Sequence, residues 1–196
     1  MIKPTVQLIR VTENPEDLIA YIARLTRNQH DFEIRDQGKY IRNLIDMGHL
    51  SVFEHASISF LIENVSRTMS HQHVRHRIGH AITQMSQRYV NEKDCDVIVP
   101  DSIQTSQIAS ILYDKISKLS KYAYIDLIGA GIPKEDARFI LPQGTATKLV
   151  STFNFRALMH YLDLRLKKDA QWEIREVATK MLNIVKEIAP NCFYKF

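Results

Sequence analysis

The residues best suited to bind an anion are concentrated in one part of the chain. Between residues 64 and 91 the sequence contains no Asp, Glu or Lys, and it contains four arginines and four histidines: Arg67, Arg75, Arg77, Arg88, His71, His73, His76 and His80. The net charge of the whole chain is +4, so this window carries the entire excess. Forked guanidinium groups suit phosphate and carboxylate, so the window predicts an anion site. A solvated basic surface is the alternative interpretation.

The most compact set of anion-binding groups in this window is Ser86-Gln87-Arg88. A turn at these residues would offer a hydroxyl, backbone N–H groups and a guanidinium to one phosphate. Upstream, Arg75 and Arg77 flank His76. Side chains two apart on a helix do not share a face, so we expect these arginines to serve two neighbouring anionic groups or two subunits.

Metal binding and cysteine chemistry are poorly supported. His76 and His80 have the i,i+4 spacing of a helical metal-binding pair, but no carboxylate or Cys lies nearby to complete the ligand set. We therefore expect no metal. Cys95 lies between Asp94 and Asp96, whose carboxylates would raise the pKa of its thiol and suppress the thiolate.

Downstream, single charges interrupt apolar sequence. Arg165 ends an apolar helical stripe, and a buried arginine there needs a ligand or a remote side chain as partner, unless it reaches solvent at the helix end. Arg156, His160 and Asp163 share the opposite face, where their spacing favours a surface ion-pair ladder. Arg138 precedes an apolar run, and His49 lies in a loop that could present polar groups to a ligand.

The elements that must position these residues form a mixed α/β pattern. We predict strands at 5–11, 56–62, 96–100 and 148–153, and helices at 15–25, 39–47, 66–78, 102–128, from 133 to before Pro142, 154–165 and 169–189. Asn154 and Asp169 are the predicted N-caps of the last two helices. The 196 residues contain no repeat or linker, so we expect one domain over 1–196, with a central sheet flanked by helices.

Composition also bounds the location. No stretch approaches the roughly 20 apolar residues of a membrane span, the N-terminus lacks the apolar region of a signal peptide, and two cysteines cannot form a disulfide framework. We expect a cytoplasmic protein with no membrane partner.

Six blocks in order resemble the flavin-dependent thymidylate synthases, the ThyX family. The signature reads Arg75-His76-Arg77, then IGHAITQM, then Ser86-Gln87-Arg88-Tyr89. The flanking blocks are GHLSVFEHASISF (48–60), VSRTMSHQHVRHR (65–77), DARFILP (136–142), TFNFRAL (152–158) and LRLKKDAQWEI (164–174). Together they cover the chain from about residue 48 to 173.

The resemblance implies a homotetramer of α/β subunits with active sites shared between subunits. It implies bound FAD, dUMP as the acceptor, methylenetetrahydrofolate as the one-carbon donor and NADPH as the reductant of the flavin. The product would be dTMP, made without an enzyme nucleophile. That route agrees with the poor placement of both cysteines.

The resemblance also implies roles for individual residues. The residues matched to dUMP binding are Gln72, Arg75, Gln84, Ser86, Gln87, Arg88, Arg138 and Arg165. The residues matched to FAD binding are His49, Ser51, Arg75, His76, Arg77, Gln84, Asn154, Arg156 and His160. Arg165 is the one catalytic residue implied, because it would stabilise negative charge developing on the pyrimidine.

Two departures from the family pattern stand out. Eight residues separate Arg77 from Ser86 where the family usually has seven, which predicts a loop or bulge between Ile78 and Ile82, permitted by Gly79. Asp169 stands where many members carry a flavin-contacting His. These departures leave open another flavin-dependent pyrimidine nucleotide enzyme, or a dUMP-binding protein of the same fold. A nucleic-acid-binding module is a third hypothesis, but Tyr89 is the one aromatic residue in the basic window available for base stacking, and we expect no nucleic-acid partner.

Overall fold

A four-stranded antiparallel sheet organises the part of the chain that the computed structural model describes, residues 2–26, 28 and 35–196. Its strands are β1 (Thr5–Val11), β2 (Ser57–Ser66), β3 (His80–Gln84) and β4 (Ala146–Asn154), in the spatial order β1-β2-β4-β3. β4 pairs with β2 on one side and β3 on the other, with His80 opposite Phe153 and Gln84 opposite Leu149.

Helices cover the sheet and connect its strands. They are α1 (Pro15–Leu25), α2 (Gln37–Asp46), α3 (Arg67–His73), α4 (Asp101–Gln104), α5 (Gln107–Gly129), α6 (Lys134–Ala137), α7 (Phe155–Arg165) and α8 (Trp172–Ile188). The described residues also include the 3₁₀ turns Leu50–His55 and Arg138–Ile140. The predicted mixed α/β class, with a sheet flanked by helices, is confirmed.

The core lies between the sheet and its flanking helices α7 and α8. Alternate β2 residues Ile58, Phe60 and Ile62 point into it, as the period-2 pattern predicts, and they meet a cluster that continues to Phe193. The Asn154 side chain accepts a hydrogen bond from the Ala157 N–H (2.8 Å), so the predicted cap of α7 is confirmed.

Asp169 does not cap the last helix, and that prediction is wrong. The helix begins at Trp172, and the Gln171 side chain accepts from the N–H groups of Glu173 (3.0 Å) and Ile174 (3.1 Å). A capping side chain must stand immediately before the first helical residue, and Asp169 lies exposed in the preceding turn.

Two further predictions need correction between β3 and β4. The strand expected at 96–100 is reduced to one bridge, between Val97 and Thr145. The helix expected at 102–128 is two helices, because Ser106 caps α5 by accepting from the Ala109 N–H (3.3 Å).

The largest difference lies after α3. The helix expected to reach residue 78 ends at His73, and the chain turns at Ile78-Gly79 into β3, a strand that the sequence did not predict. Gly79 has φ +64°, and a Cβ there would lie 2.5 Å from the Asn154 side-chain nitrogen. The loop predicted between Ile78 and Ile82 is therefore confirmed as this turn. In the described residues, no helix is long and apolar enough to cross a membrane.

Candidate functional site

A cavity of about 580 Å³ lies between α3, β3 and the residues that follow α6. Its polar lining consists of Arg67, Ser70, His71, Gln84, Gln87, Arg138 and Gln143, and its apolar wall comes from Val74, Phe139, Leu141 and Pro142. We call it the α3–β3 cavity. Helical periodicity explains the α3 contribution, because residues 67, 70, 71 and 74 recur at i, i+3, i+4 and i+7 and share one face.

Gln84 is fixed at the end of β3 by two hydrogen bonds. Its side-chain nitrogen donates to Ser70 Oγ (3.0 Å) and Thr147 Oγ1 (3.2 Å). Both bonds use the amide nitrogen, so the amide oxygen remains an acceptor for a ligand in the cavity.

Two guanidinium groups of the cavity repel one another. Burial lowers the pKa of Arg67, the neighbouring Arg138 lowers it further, and Glu92 acts in the opposite direction. Glu92 is 3% exposed, and burial raises the pKa of its carboxyl against the effects of Arg67 and Gln87. One buried carboxylate thus partly offsets the cavity's positive charge. Converging cations of this kind favour an anionic ligand.

The Ser86-Gln87-Arg88 turn stands at this cavity, and an acidic residue lies beside it that the sequence window did not include. Ser86 Oγ accepts from the Arg88 N–H (3.3 Å), while Arg88 Nε donates to Glu135 Oε2 (2.9 Å). Arg138 Nε donates to the carbonyl of Glu135 (3.1 Å). Glu135 therefore holds both arginines in one neighbourhood, and the exposed Arg88–Glu135 pair costs little to open.

Arg165 has a partner from within the chain. Its Nε donates to His76 Nε2 (2.9 Å), and its Nη2 donates to the carbonyl of Gln72 (3.4 Å). Burial and the Arg165 charge lower the pKa of His76 to about 4, so its ring is neutral at pH 7 and accepts this bond. Among the described residues, no hydrogen bond occupies Arg165 Nη1, which leaves one edge of the guanidinium for a ligand.

The residues matched to dUMP binding therefore fall into two clusters. Gln84, Gln87 and Arg138 line the α3–β3 cavity, with Ser86 and Arg88 beside it. Gln72 and Arg165 are absent from the described residues that line it, and they lie together at His76. One chain does not bring the full set around one cavity.

Five of the nine residues matched to FAD binding line two cavities that share Leu50 and Arg156. One, of about 530 Å³, is lined by Asn154, Arg156 and His160; the other, of about 300 Å³, is lined by His49, Ser51 and Arg156. We call them the α7 cavities. Of the other four residues, Gln84 lines the α3–β3 cavity, and His76 is not among the described lining residues of any of the three cavities.

The ion-pair ladder expected along α7 is wrong. Arg156 pairs with Glu54 of the first 3₁₀ turn (2.5 Å), and Arg156, His160 and Asp163 line one cavity together. Their spacing was sound evidence for a shared face, but the partner on that face comes from a remote segment.

Arg75 and Arg77 are exposed in the loop between α3 and β3, and neither lines the cavities above. The sequence prediction that they do not converge on one partner within the chain agrees with this placement. The described residues contain no group of three or more His, Cys, Asp or Glu that could hold a metal ion.

The Cys95 thiol has a raised pKa, as predicted, but for a different main reason. Burial is the largest cause, followed by the charge of Glu92 and, more weakly, Asp96. Cys95 lines a fourth cavity, of about 720 Å³, against α5. Its weak tendency to form a thiolate makes it a poor nucleophile.

Comparison with known proteins decides the family. Residues 7–191 match the family model described as thymidylate synthase complementing protein. A flavin-dependent thymidylate synthase from Geobacter sulfurreducens is 38% identical over 197 residues, covering 96% of this chain and 84% of that protein. One from Thermococcus onnurineus is 40% identical over 200 residues, covering 95% and 79% respectively.

The chain belongs to the flavin-dependent thymidylate synthase family. The resemblance drawn from the six sequence blocks is thereby confirmed.

Two features of this family member escaped sequence reasoning. Ser70 lines the α3–β3 cavity beside Arg67, which the sequence analysis named only as part of the basic window, and the spacing 67, 70, 71, 74 along α3 was the signal that could have placed both there. A buried polar cluster of His73, Ser151 and Tyr161 lies beneath His76, and no spacing in the sequence connects its members.

Proposed function

We propose that this protein catalyses the reductive methylation of dUMP to dTMP, with methylenetetrahydrofolate as carbon donor and NADPH as reductant of bound FAD. Family membership gives the reaction class. The observation that supports the proposal for this chain is the arginine-lined α3–β3 cavity, which suits the phosphate of a nucleoside monophosphate.

In this proposal the α3–β3 cavity binds the phosphate. Arg67 and Arg138 supply charge, Arg88 exchanges Glu135 for phosphate, and the Ser86 turn supplies a hydroxyl and backbone N–H groups. Gln84 and Gln87 complete the polar lining and fix orientation. The buried Glu92 carboxylate partly offsets the charge of Arg67.

Arg165 takes the catalytic role. Its Nε bond to the neutral ring of His76 orients the guanidinium, so that the Nη1 edge is directed to the pyrimidine as negative charge develops there. Because this donor is held before the nucleotide arrives, no reorganisation is needed when the charge forms.

FAD fits the α7 cavities. Arg156 lines both cavities and can exchange Glu54 for an anionic group of the cofactor. Asn154 and His160 add polar contacts. Arg75 and Arg77 lie exposed on the loop that carries His76. Gly79, where a side chain would fill the space beside Asn154, lets the backbone approach a ligand closely. When bound and reduced, FAD supplies the hydride. The protein residues bind it and hold it in register with the nucleotide.

We propose a homotetramer with shared sites. The Gln72–Arg165 cluster and the α3–β3 cavity are each an incomplete dUMP site, and a second copy can supply what each lacks. One face of α5 carries a stripe of exposed apolar residues: Ile108, Ile111, Leu112, Ile116, Leu119 and Tyr122. An apolar stripe along a 23-residue helix suits burial against another subunit.

We also propose that residues 1–196 are one domain in the cytoplasm. One core cluster runs from Ile19 of α1 to Phe193, which supports a single domain. Cys95 and Cys192 are free thiols, which supports a reducing compartment. We infer neither nucleic acid nor membrane as a partner, because Arg67 and Arg138 line one cavity and Arg88 lies beside it, an arrangement that suits a small anion.

An absorption titration followed by a product assay tests the proposal. We expect the purified protein to bind FAD and its flavin spectrum to shift when dUMP is added. With methylenetetrahydrofolate and NADPH present, dTMP should then form. Consumption of NADPH with dUMP but without dTMP would indicate a different flavin-dependent nucleotide reaction. Failure to bind FAD at any concentration would contradict the proposal.

A further inference from the structure

A buried chain of hydrogen bonds connects the core to the Arg-His-Arg loop. Tyr161 OH contacts His73 Nδ1 (3.0 Å), His73 Nε2 contacts Ser151 Oγ (2.9 Å), and Ser151 Oγ contacts His80 Nε2 (2.5 Å). The last hydrogen bond of this series joins His80 Nδ1 to the backbone carbonyl of His76 (2.9 Å).

The His76 carbonyl, at one end of this series, fixes which atom donates in each of the hydrogen bonds. A carbonyl only accepts, so His80 carries its proton on Nδ1, and its neutral ring accepts at Nε2 from Ser151. The single Ser151 proton is then used, so Ser151 accepts from His73 Nε2–H. His73 Nδ1 is left as an acceptor for the Tyr161 hydroxyl.

Burial favours the neutral state of both rings. Burial lowers the pKa of His80 to about 4. Burial also lowers the pKa of His73 well below its ordinary range, and His80, His76 and Arg165 lower the pKa of His73 further. Burial raises the pKa of Tyr161, which keeps its hydroxyl protonated. His73, Ser151 and Tyr161 are fully buried, so water does not offer alternative partners.

The series of hydrogen bonds ends at His76, the residue that orients Arg165. His76 is held through its backbone carbonyl by His80 and uses its ring to accept from Arg165. His80 is itself fixed by stacking on Phe153, with ring centroids 3.7 Å apart and planes 12° apart. The loop that carries Arg75 and Arg77 is therefore attached to β3 at this carbonyl.

We propose that His80, Ser151 and His73 are positioning residues for the dUMP-binding edge of Arg165, acting through the backbone of His76. This inference rests on the proposed function in one respect, that Arg165 contacts the nucleotide. The proton order gives the loop one arrangement, because reversing any one bond leaves a donor facing a donor or an acceptor facing an acceptor.

A double-mutant cycle with FAD-loaded protein tests it, with dUMP affinity measured by calorimetry. His80→Phe keeps the stack on Phe153 and removes both hydrogen bonds. We expect about a tenfold loss of dUMP affinity, the order of one misoriented hydrogen bond to a charged group. In an Arg165→Met background, His80→Phe should cause no further loss, because the residue through which it acts is gone.

Two variants separate positioning from general damage. His80→Asn places an amide N–H near the former Nδ1 and should retain dUMP affinity within about threefold of the unsubstituted protein, since the bond to the His76 carbonyl is restored. Thr83→Ala, at an exposed site on the same strand, should leave affinity unchanged. A folded His80→Phe protein with normal dUMP affinity would overturn the inference. So would a double variant whose fold-loss of dUMP affinity equals the product of the losses in His80→Phe and Arg165→Met. An unsubstituted protein that binds no dUMP would instead contradict the proposed function.

The tautomers can be read directly, whether or not His80→Phe folds. Nitrogen-15 NMR of the unsubstituted protein should show the proton of His73 on Nε2 and the protons of His76 and His80 on Nδ1. Any other assignment would overturn the proposed proton order.

Discussion

At the scale of single residues, the site depends on a histidine kept neutral beside an arginine. Solvated, His76 would carry charge over much of the acidic range and repel Arg165. Partial burial and the charge of Arg165 instead lower its pKa to about 4, which makes the ring an acceptor at pH 7. Arg165 is thereby oriented without a carboxylate that would compete with negative charge on the ligand.

Replacing Arg165 tests this role. Arg165→Met should lower turnover by roughly 10²–10³-fold, the range found when one donor to a developing anion is removed. The flavin spectrum should be unchanged, because the proposed partner of Arg165 is the pyrimidine. Stopped product formation with retained FAD would agree with this role; loss of FAD with unchanged dUMP affinity would contradict it.

The buried histidines also predict a pH dependence of stability. The folded pKa of His80, about 4, lies below its ordinary value of 6.5, so the unfolded chain binds more protons between these values. The stabilising effect of His80 is therefore complete above pH 6.5 and is lost as pH falls towards 4. The contribution of His80 to the free energy of unfolding should change by less than about 1.4 kcal/mol per pH unit, since partial exposure screens the group.

Denaturant unfolding at pH 7, 6 and 5 can isolate this effect. The stability advantage of the unsubstituted protein over His80→Phe should shrink as pH falls. Glu92 and Glu173, whose carboxyl pKa values are raised, have the opposite dependence and cancel in this difference. An advantage that stays constant from pH 7 to 5 would argue against a neutral His80 in the fold.

At the scale of elements, the sequence was informative where apolar periodicity was strong. β1, β2, α7 and α8 follow their patterns to within a few residues. β3 was missed because its inward side chains include His80 and Gln84, so the strand has no apolar alternation to detect. Gln84 lines the α3–β3 cavity and His80 hydrogen-bonds the His76 carbonyl, so the polar side chains that give the strand its proposed role also hide it from pattern analysis.

The start of α3 depends on a buried carboxylate from α8. Glu173 accepts from the Ser66 N–H (2.6 Å) and from Ser66 Oγ (2.5 Å), and Ser66 Oγ in turn accepts from the Met69 N–H (3.0 Å). α8 thus fixes the residue before Arg67, the first arginine of the cavity.

Glu173→Gln should therefore destabilise the fold by about 1–3 kcal/mol, because the amide has one acceptor oxygen where the carboxylate has two, so the Ser66 N–H and hydroxyl no longer each have their own buried acceptor. Glu176→Gln on the same helix loses only a surface pair with Lys180 and should cost no more than about 0.5 kcal/mol. Denaturant unfolding measures both. Equal losses in the two variants would show that the buried contact adds nothing.

At the scale of the whole molecule, the split of the nucleotide residues and the apolar stripe of α5 point to the same assembly. The resemblance implied shared sites, but spacing along the chain does not reveal that Gln72 and Arg165 lie together apart from the α3–β3 cavity, because α3 and the end of α7 are remote in sequence. Leu119→Asp places a charge on the stripe and should lower the mass measured by light scattering, with loss of dUMP affinity, because the proposed site combines residues of two copies. A small species with full dUMP affinity would show that one chain holds a complete site.

Mixing two inactive variants tests the shared site most directly. Arg138→Met damages the α3–β3 cavity and Arg165→Met damages the cluster at His76, so each variant alone should lack activity. If a site combines Arg138 of one subunit with Arg165 of another, random 1:1 assembly leaves about a quarter of the sites with both arginines. The mixture, exchanged through dissociation and reassembly, should regain activity in about that proportion, whereas Arg165→Met reassembled with itself should regain none. If each site used both arginines of one chain, every site in the mixture would lack one of them, and activity would stay absent however complete the exchange.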